Sequence, residues 1–211
     1  MIIRKFSLGQ LQANCYFVID HHDCLIIDPA DDANFLLEEI LRQKLSIKAL
    51  LATHGHFDHL MAVGEIQASF KAPLYISDKD LFLVDRLDET AAYFLGCQTS
   101  IIKPSIIKKI SQEKPDRTNL LPAFGLEIIP TPGHTPGSLS FYFPKVKTIF
   151  SGDTLFKQGI GRYDFSYARK KDLESSLKKI LQLPEKTVVY PGHGDATTIK
   201  DEKSNLLHLF N

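Results

Sequence analysis

Residues 53–59 read Thr-His-Gly-His-Phe-Asp-His, which sets His54, His56, Asp58 and His59 in one short segment. Imidazole and carboxylate are natural ligands for zinc and similar divalent metals. Positions 54, 56 and 58 alternate, so their side chains share a direction only if the segment is extended. His59 then points elsewhere, and one loop can serve two neighbouring metal sites. A lone histidine is commonly solvated or satisfied in a core. Three with an aspartate, following an apolar strand pattern, point instead to metal binding.

Three more positions of the same chemistry each follow a strand pattern and lie beside glycine. They are His134 in Pro-Gly-His-Thr-Pro-Gly, Asp153 in Ser-Gly-Asp, and His193 in Pro-Gly-His-Gly. Glycine lets the backbone turn sharply, and proline stiffens the approach, so a ligand can be held in one geometry. Each alone is a weak signal; after the histidine cluster they form a joint one. Asp28 closes the run Leu25-Ile-Ile-Asp and reads equally well as a strand-end turn residue.

The elements that must position these residues alternate between strand and helix periods. Cys15 to Asp20 and Cys24 to Asp28 read as strands joined by an exposed turn at His21-His22-Asp23. Asp31 to Lys44 has Phe35, Leu36, Ile40 and Leu41 at helical spacing. Ile47 to Thr53 is the strand that delivers the histidine loop. Leu60, Val63, Ile66 and Phe70 predict a helix after it, which Asp58 is placed to cap. Pro73 to Ser77 reads as a strand, and 78 to 97 as helical with a break at Gly96.

The stretch near 78–115 is the least regular and reads as a helical insertion or lid. Its apolar residues Phe82, Leu83, Tyr93, Phe94 and Leu95 read as packing. Further strands are expected at Leu126 to Pro130, Ser138 to Phe143, Thr148 to Ser151 and Thr187 to Tyr190. Helices are expected at Ala168 to Leu183 and near Lys200 to Phe210, with His208 structural. Strands mixed with helices in both halves predict an α/β fold of two sheets with helices outside.

At 211 residues the chain is long enough for one domain with a substantial core. Apolar residues at 44% and charged residues at 24% fit a soluble globular protein. Equal numbers of basic and acidic residues leave no excess to attract nucleic acid or an anionic membrane. The pairs Lys170-Lys171 and Lys178-Lys179 read as the wet face of a helix. The opening residues do not form a secretory signal, and no run is long enough to span a bilayer. Cys15, Cys24 and Cys97 contain no CxxC pair and suit the reducing cytoplasm as structural thiols.

With its motifs in order, the chain resembles the metallo-β-lactamase-fold hydrolases, in particular the glyoxalase II (hydroxyacylglutathione hydrolase)-like group. The matching pieces are Thr53-His-Gly-His-Phe-Asp-His59, Thr131-Pro-Gly-His-Thr-Pro-Gly-Ser138, Ser151-Gly-Asp-Thr-Leu155 and Pro191-Gly-His-Gly194, together with Asp28. The resemblance implies an αββα sandwich of two mixed β-sheets flanked by helices. It assigns His54, His56 and His134 to one metal, and Asp58, His59 and His193 to a second. Asp153 bridges them, and Asp28 orients ligands without binding metal. Asp58 is also the candidate catalytic carboxylate. Two divalent ions are implied, zinc first, with iron and manganese also suited to the donor set. Two metals about 3.5–4 Å apart can share one water and make it hydroxide near neutral pH. The expected reaction is hydrolysis of S-D-lactoylglutathione or a related small thioester.

Two features depart from full-length glyoxalase II. The short stretch after His193 cannot form its C-terminal helical, glutathione-binding domain, so a single domain over 1–211 is expected. Gly159-Ile-Gly-Arg-Tyr-Asp-Phe165 replaces a lysine and tyrosine that contact substrate there. In it, Arg162 is the candidate substrate-binding residue, gripping a carboxylate in bidentate fashion; a loop-shaping Arg162–Asp164 contact is the other reading. The Gly-Arg-x-Asp-Phe pattern is similar to short bacterial glyoxalase II-like proteins and to the persulfide dioxygenases. The latter set an alternative with one iron on His54, His134 and Asp153. A non-catalytic metal-binding module is the third reading. The oligomeric state is not set by the sequence.

Overall fold

Runs rich in β-branched and aromatic residues become strands in the computed structural model, which describes residues 1–112 and 121–206. The chain divides into two compact units, Met1–Ile110 and Ser111–Asn211.

In the first unit, β1 (Ile2–Leu8), β2 (Ala13–Asp20), β3 (Asp23–Ile27), β4 (Ser46–Leu51), β5 (Leu74–Ser77) and β6 (Ile107–Ile110) pair in that order into one sheet. The first three strands meander antiparallel, and β3 through β6 run parallel. Parallel neighbours need crossovers. These are α1 (Ala33–Arg42), α2 (Val63–Phe70), and α3 (Leu81–Val84) followed by α4 (Leu87–Leu95). Asp32 caps α1 by accepting from the Phe35 N–H. Leu36 and Ile40 face the core, while Leu41, expected on the same stripe, is 66% exposed. Phe17, Ile26, Leu50, Ile66 and Leu74 belong to the unit's core. The His21–His22 turn is exposed, as expected.

The stretch read as an insertion or lid begins with a 3₁₀ turn at Asp78–Asp80 and runs through α3 and α4 to β6, so that up to Ile110 it is the β5-to-β6 crossover. Residues 113–115 lie outside the described residues. Of its apolar side chains Leu83 is buried, whereas Phe82, Tyr93 and Phe94 are exposed. Phe94 nevertheless stacks on Phe57 of the histidine loop, with ring centroids 6.0 Å apart. Gly96, in the left-handed region at φ 70, ends α4.

In the second unit, β7 (Glu127–Pro130), β8 (Leu139–Phe143) and β9 (Thr148–Gly152) are antiparallel neighbours. The hairpin β10 (Leu155–Phe156) and β11 (Gly159–Ile160) stands apart from this sheet. The strand β12 (Val188–Pro191) runs parallel to β9 and carries β13 (Thr197–Thr198) on its other edge. The helices are α5 (Lys170–Ile180) and α6 (Ile199–Asn205). Leu173, Leu177 and Ile180 of α5 pack with Ile149, Val189 and Ile199. Lys170 is on the wet face near Glu174, but Lys179 donates from Nζ to the Pro130 carbonyl at 2.6 Å. The expected end of the last helix at Phe210, and His208, lie outside the described residues.

Candidate metal centre

The first group of ligand-type side chains grows from two parallel neighbours. Asp28 follows β3, and Thr53 and His54 follow β4; the Asp28 N–H donates to the Leu51 carbonyl at 2.8 Å. Asp28 turns the chain in the left-handed region at φ 50 and is buried. Its Oδ1 accepts the Thr53 N–H at 2.7 Å, and its Oδ2 accepts the Thr53 hydroxyl at 2.7 Å. The same Oδ2 lies 3.0 Å from His59 Nδ1. Thr53 Oγ1 lies 3.0 Å from His54 Nδ1.

These contacts settle the histidine tautomers. A threonine hydroxyl has one proton. It goes to Asp28, so Thr53 accepts from the His54 Nδ1–H. A carboxylate accepts only, so His59 also carries its proton on Nδ1. In the neutral rings this leaves each Nε2 with a lone pair, the form a metal ligand needs.

His54 Nε2 lies 3.0 Å from His56 Nδ1, and His59 Nε2 lies 3.6 Å from Asp58 Oδ2. With metal–ligand bonds near 2.1 Å, two ligands of one ion lie no more than about 4.2 Å apart. Both pairs meet that limit. The route to it differs from the extended segment expected. Phe57–His59 is a 3₁₀ turn, so the extended stretch ends at His56. His59 folds back until its ring centroid is 4.3 Å from that of His54. Nor does Asp58 cap α2, whose N-cap is Ala62 with no side-chain bond.

The backbone between His54 and His56 is held from another element. The Gly55 N–H donates to Asp80 Oδ2 at 2.9 Å, and Asp80 is buried at the end of the 3₁₀ turn before α3. A Cβ on Gly55 would stand 2.8 Å from the Asp80 carbonyl oxygen and 2.9 Å from Leu83 Cβ. The glycine is required by this close approach. Next to the loop, Leu8, Leu11, Phe57, Asp58, Met61 and Leu95 line a small cleft.

The second group uses the same construction. Asp153 follows β9, and His193 follows its parallel neighbour β12, where a register shift falls at Pro191 opposite Gly152. Gly152 turns at φ 51 and its carbonyl accepts the Gly192 N–H at 2.9 Å. Asp153 Oδ2 lies 3.6 Å from His134 Nε2 and 3.8 Å from His193 Nε2, again within reach of a shared ion. His134 donates from Nδ1 to the Arg162 carbonyl at 2.8 Å, so its Nε2 also offers a lone pair.

Two elements hold the His134 loop. The start of α5 closes on Gly133, whose carbonyl accepts the Arg169 N–H at 2.8 Å; a Cβ there would lie 2.3 Å from the Leu173 nitrogen. Ser138 knits the far side, its Oγ 2.7 Å from Thr135 Oγ1 and 3.1 Å from the Thr135 nitrogen. The β10–β11 hairpin brings Gly161 back against Asp153, where a Cβ would come within 1.8 Å of the Asp153 carbonyl oxygen.

Arg162 makes the contact that shapes its own loop. Its Nε and Nη2 donate to the two Asp164 oxygens at 3.0 and 2.8 Å. Its guanidinium lies 4.7 Å from the Phe165 ring centroid, and Phe165 stacks on Tyr167. The bidentate bond holds the Asp164 carboxyl below its ordinary range and raises Arg162 further.

The first unit thus brings together Asp28, His54, His56, Asp58 and His59, and the second His134, Asp153 and His193. Apart from Asp28, which orients its neighbours, these His and Asp side chains are candidate metal ligands. Three participants were not expected from the sequence: the Thr53 hydroxyl, the Asp80 carboxylate and Gly161. Thr53 heads the histidine motif, but its role depends on where β3 ends. Asp80 sits in Asp78-Lys-Asp80, which reads as an ordinary acidic helix start.

Among known proteins, the sequence profile of the metallo-β-lactamase superfamily matches residues 8–193. The chain is 35% identical over 204 residues to the probable metallo-hydrolase YqgX of Bacillus subtilis (strain 168), covering 95% of this chain and 93% of that one. It is 37% identical over 206 residues to the hydroxyacylglutathione hydrolase GloC of Haemophilus influenzae (strain ATCC 51907 / DSM 11121 / KW20 / Rd), covering 96% and 95%. The structure of TTHA1623 in a di-iron-bound form is similar at a TM-score of 0.86 and 37% identity, over 96% of this chain and 98% of that one. On these likenesses, and with ligand-type histidines and aspartates at the ends of its parallel strands, the chain is a member of the metallo-β-lactamase superfamily and has its α/β fold of mixed sheets and helices.

Proposed function

We propose that this protein is a metal-dependent thioester hydrolase of the glyoxalase II type. Its substrate would be S-D-lactoylglutathione or a related small thioester. His54, His56 and His134 would hold one divalent ion, Asp58, His59 and His193 a second, and Asp153 would serve both. The observation that carries this reading is the proton placement. His54, His59 and His134 each engage Nδ1 with a neighbouring oxygen and leave Nε2 for a ligand bond. The likeness to GloC across nearly the whole chain supports the thioester assignment. Zinc is the first choice; iron and manganese suit the same donors.

Divalent metals bound there supply an acidified water and a Lewis acid for the carbonyl. The chain's own residues do the rest. Asp28 and the Arg162 carbonyl keep the imidazoles aimed and in the ligating tautomer. Asp58, a ligand and the proposed catalytic carboxylate, holds negative charge beside the reacting centre. A thiolate leaving group, with a thiol pKa of about 8.5, needs little protonation, so no further general acid is required. Arg162 binds a substrate carboxylate, which must compete with Asp164 for the guanidinium. The three free cysteines accord with the cytoplasm, and no nucleic-acid or membrane partner is proposed.

The test loads purified protein with zinc or iron, counts metal per chain, and follows cleavage of S-D-lactoylglutathione. Two ions per chain and thioesterase activity that His134→Ala reduces by orders of magnitude are expected. A single iron per chain with oxygen uptake on a persulfide, and no thioester cleavage, would replace the hydrolase by a sulfur dioxygenase.

A further inference from the structure

We infer that Asp80 is a positioning residue that sets the geometry of the metal position made by His54 and His56. The inference rests on the metal-binding reading above. The ordinary roles for an aspartate at the start of a helix do not account for it. Asp80 is the N-cap residue of α3, yet its side chain makes no capping bond there. Ser77 caps the preceding 3₁₀ turn, accepting from Lys79. Instead the Asp80 carboxylate reaches 25 positions back in sequence to the Gly55 N–H.

That amide lies between the two imidazole-bearing residues. Holding it fixes the His54–Gly55 peptide plane, and with it the backbone from which the His54 side chain projects and from which the chain runs on to His56. The two ring nitrogens stand 3.0 Å apart, so a small rotation of that peptide would open the pair. Burying a carboxylate is costly unless it is hydrogen-bonded, and Asp80 is 0% exposed. The bare Gly55 α-carbon is what permits the approach.

The experiment compares wild type, Asp80→Asn and Asp80→Ala. Zinc affinity is measured by chelator competition, the Co(II)-substituted proteins are compared by their d–d absorption, and apo-protein folding is followed by circular dichroism. Asp80→Ala is expected to weaken binding at the position made by His54 and His56 by about 10–100-fold and to change the Co(II) spectrum. Asp80→Asn, which keeps an acceptor, should restore most of the affinity. In a His56→Ala background, Asp80→Ala should cost little more, because the pair it orients is already broken.

A folded Asp80→Ala protein with wild-type affinity and spectrum would overturn the inference. If Asp80→Ala does not fold, Asp80→Asn decides: a large loss of affinity in it, additive with His56→Ala and with an unchanged Co(II) spectrum, would overturn the inference. If wild type itself binds no metal, the metal-binding reading fails instead, which is a separate result.

Discussion

A single carboxylate organises three donors in the first unit. Asp28 accepts the Thr53 N–H, the Thr53 hydroxyl and the His59 Nδ1 proton, and through Thr53 it fixes His54. Replacing it by asparagine keeps one acceptor oxygen but puts an NH₂ group where Oδ1 or Oδ2 now stands. At least one of the three donors must then lose its partner, and two if the NH₂ takes the place of Oδ2. A buried donor left unsatisfied costs about 1–3 kcal/mol. Asp28→Asn is therefore expected to lower apo-protein stability by that amount in chemical denaturation. It should also weaken metal binding by about 10–100-fold in chelator competition. The cluster Thr53–His59 is legible as a metal motif because ligand chemistry is written in residue types. The fold-back of His59 is not, because it depends on a 3₁₀ turn that alternation cannot show.

At the level of elements, each ligand group is built on the C-terminal ends of adjacent parallel strands, β3 with β4 and β9 with β12, and His134 joins the second from the loop between the antiparallel β7 and β8. The long apolar runs behind them are readable because they are buried along most of their length; β2 is buried from Ala13 through Ile19. The two-residue strands β10, β11 and β13 are too short to carry a period, and β6 lies beyond an irregular crossover. Leu41 shows the same limit in a helix: spacing alone does not say how wide the buried stripe is. The β10–β11 hairpin matters more than its length suggests, since it seats Gly161 on Asp153 and aims the Arg162 carbonyl at His134. Gly161→Ala should force this hairpin away from Asp153. Overpacking of this kind costs about 1–3 kcal/mol, measurable as a lowered denaturation midpoint. Metal affinity should fall with it, whereas Gly96→Ala, at a helix end with open space around it, should leave affinity unchanged.

For the molecule as a whole, the thiols divide sharply. Cys15 and Cys24 are buried and Cys97 is exposed. Burial pushes the Cys24 thiol up to about 12 from an ordinary 9.0, and raises Cys15 well above its usual value. Native protein at pH 8 should therefore give one rapidly titrating thiol, and denatured protein three. The linkage has a definite sign. The folded chain holds these protons more tightly than the unfolded chain, so their contribution is intact below about pH 9. It is lost as pH rises toward 12, by about 1.4 kcal/mol per pH unit for a single thiol. Denaturation midpoints measured from pH 8 to 11 should fall accordingly, and replacing Cys24 by alanine should flatten the fall. Among the described residues, no helix is long and apolar enough to cross a membrane. Cys97 follows directly on the Gly96 that ends α4, the helix whose Phe94 leans on Phe57 of the histidine loop. Nature has thus supplied a single labelling handle: a fluorophore attached there would ride on the helix that touches the loop, with no engineered cysteine and no competing sites to remove.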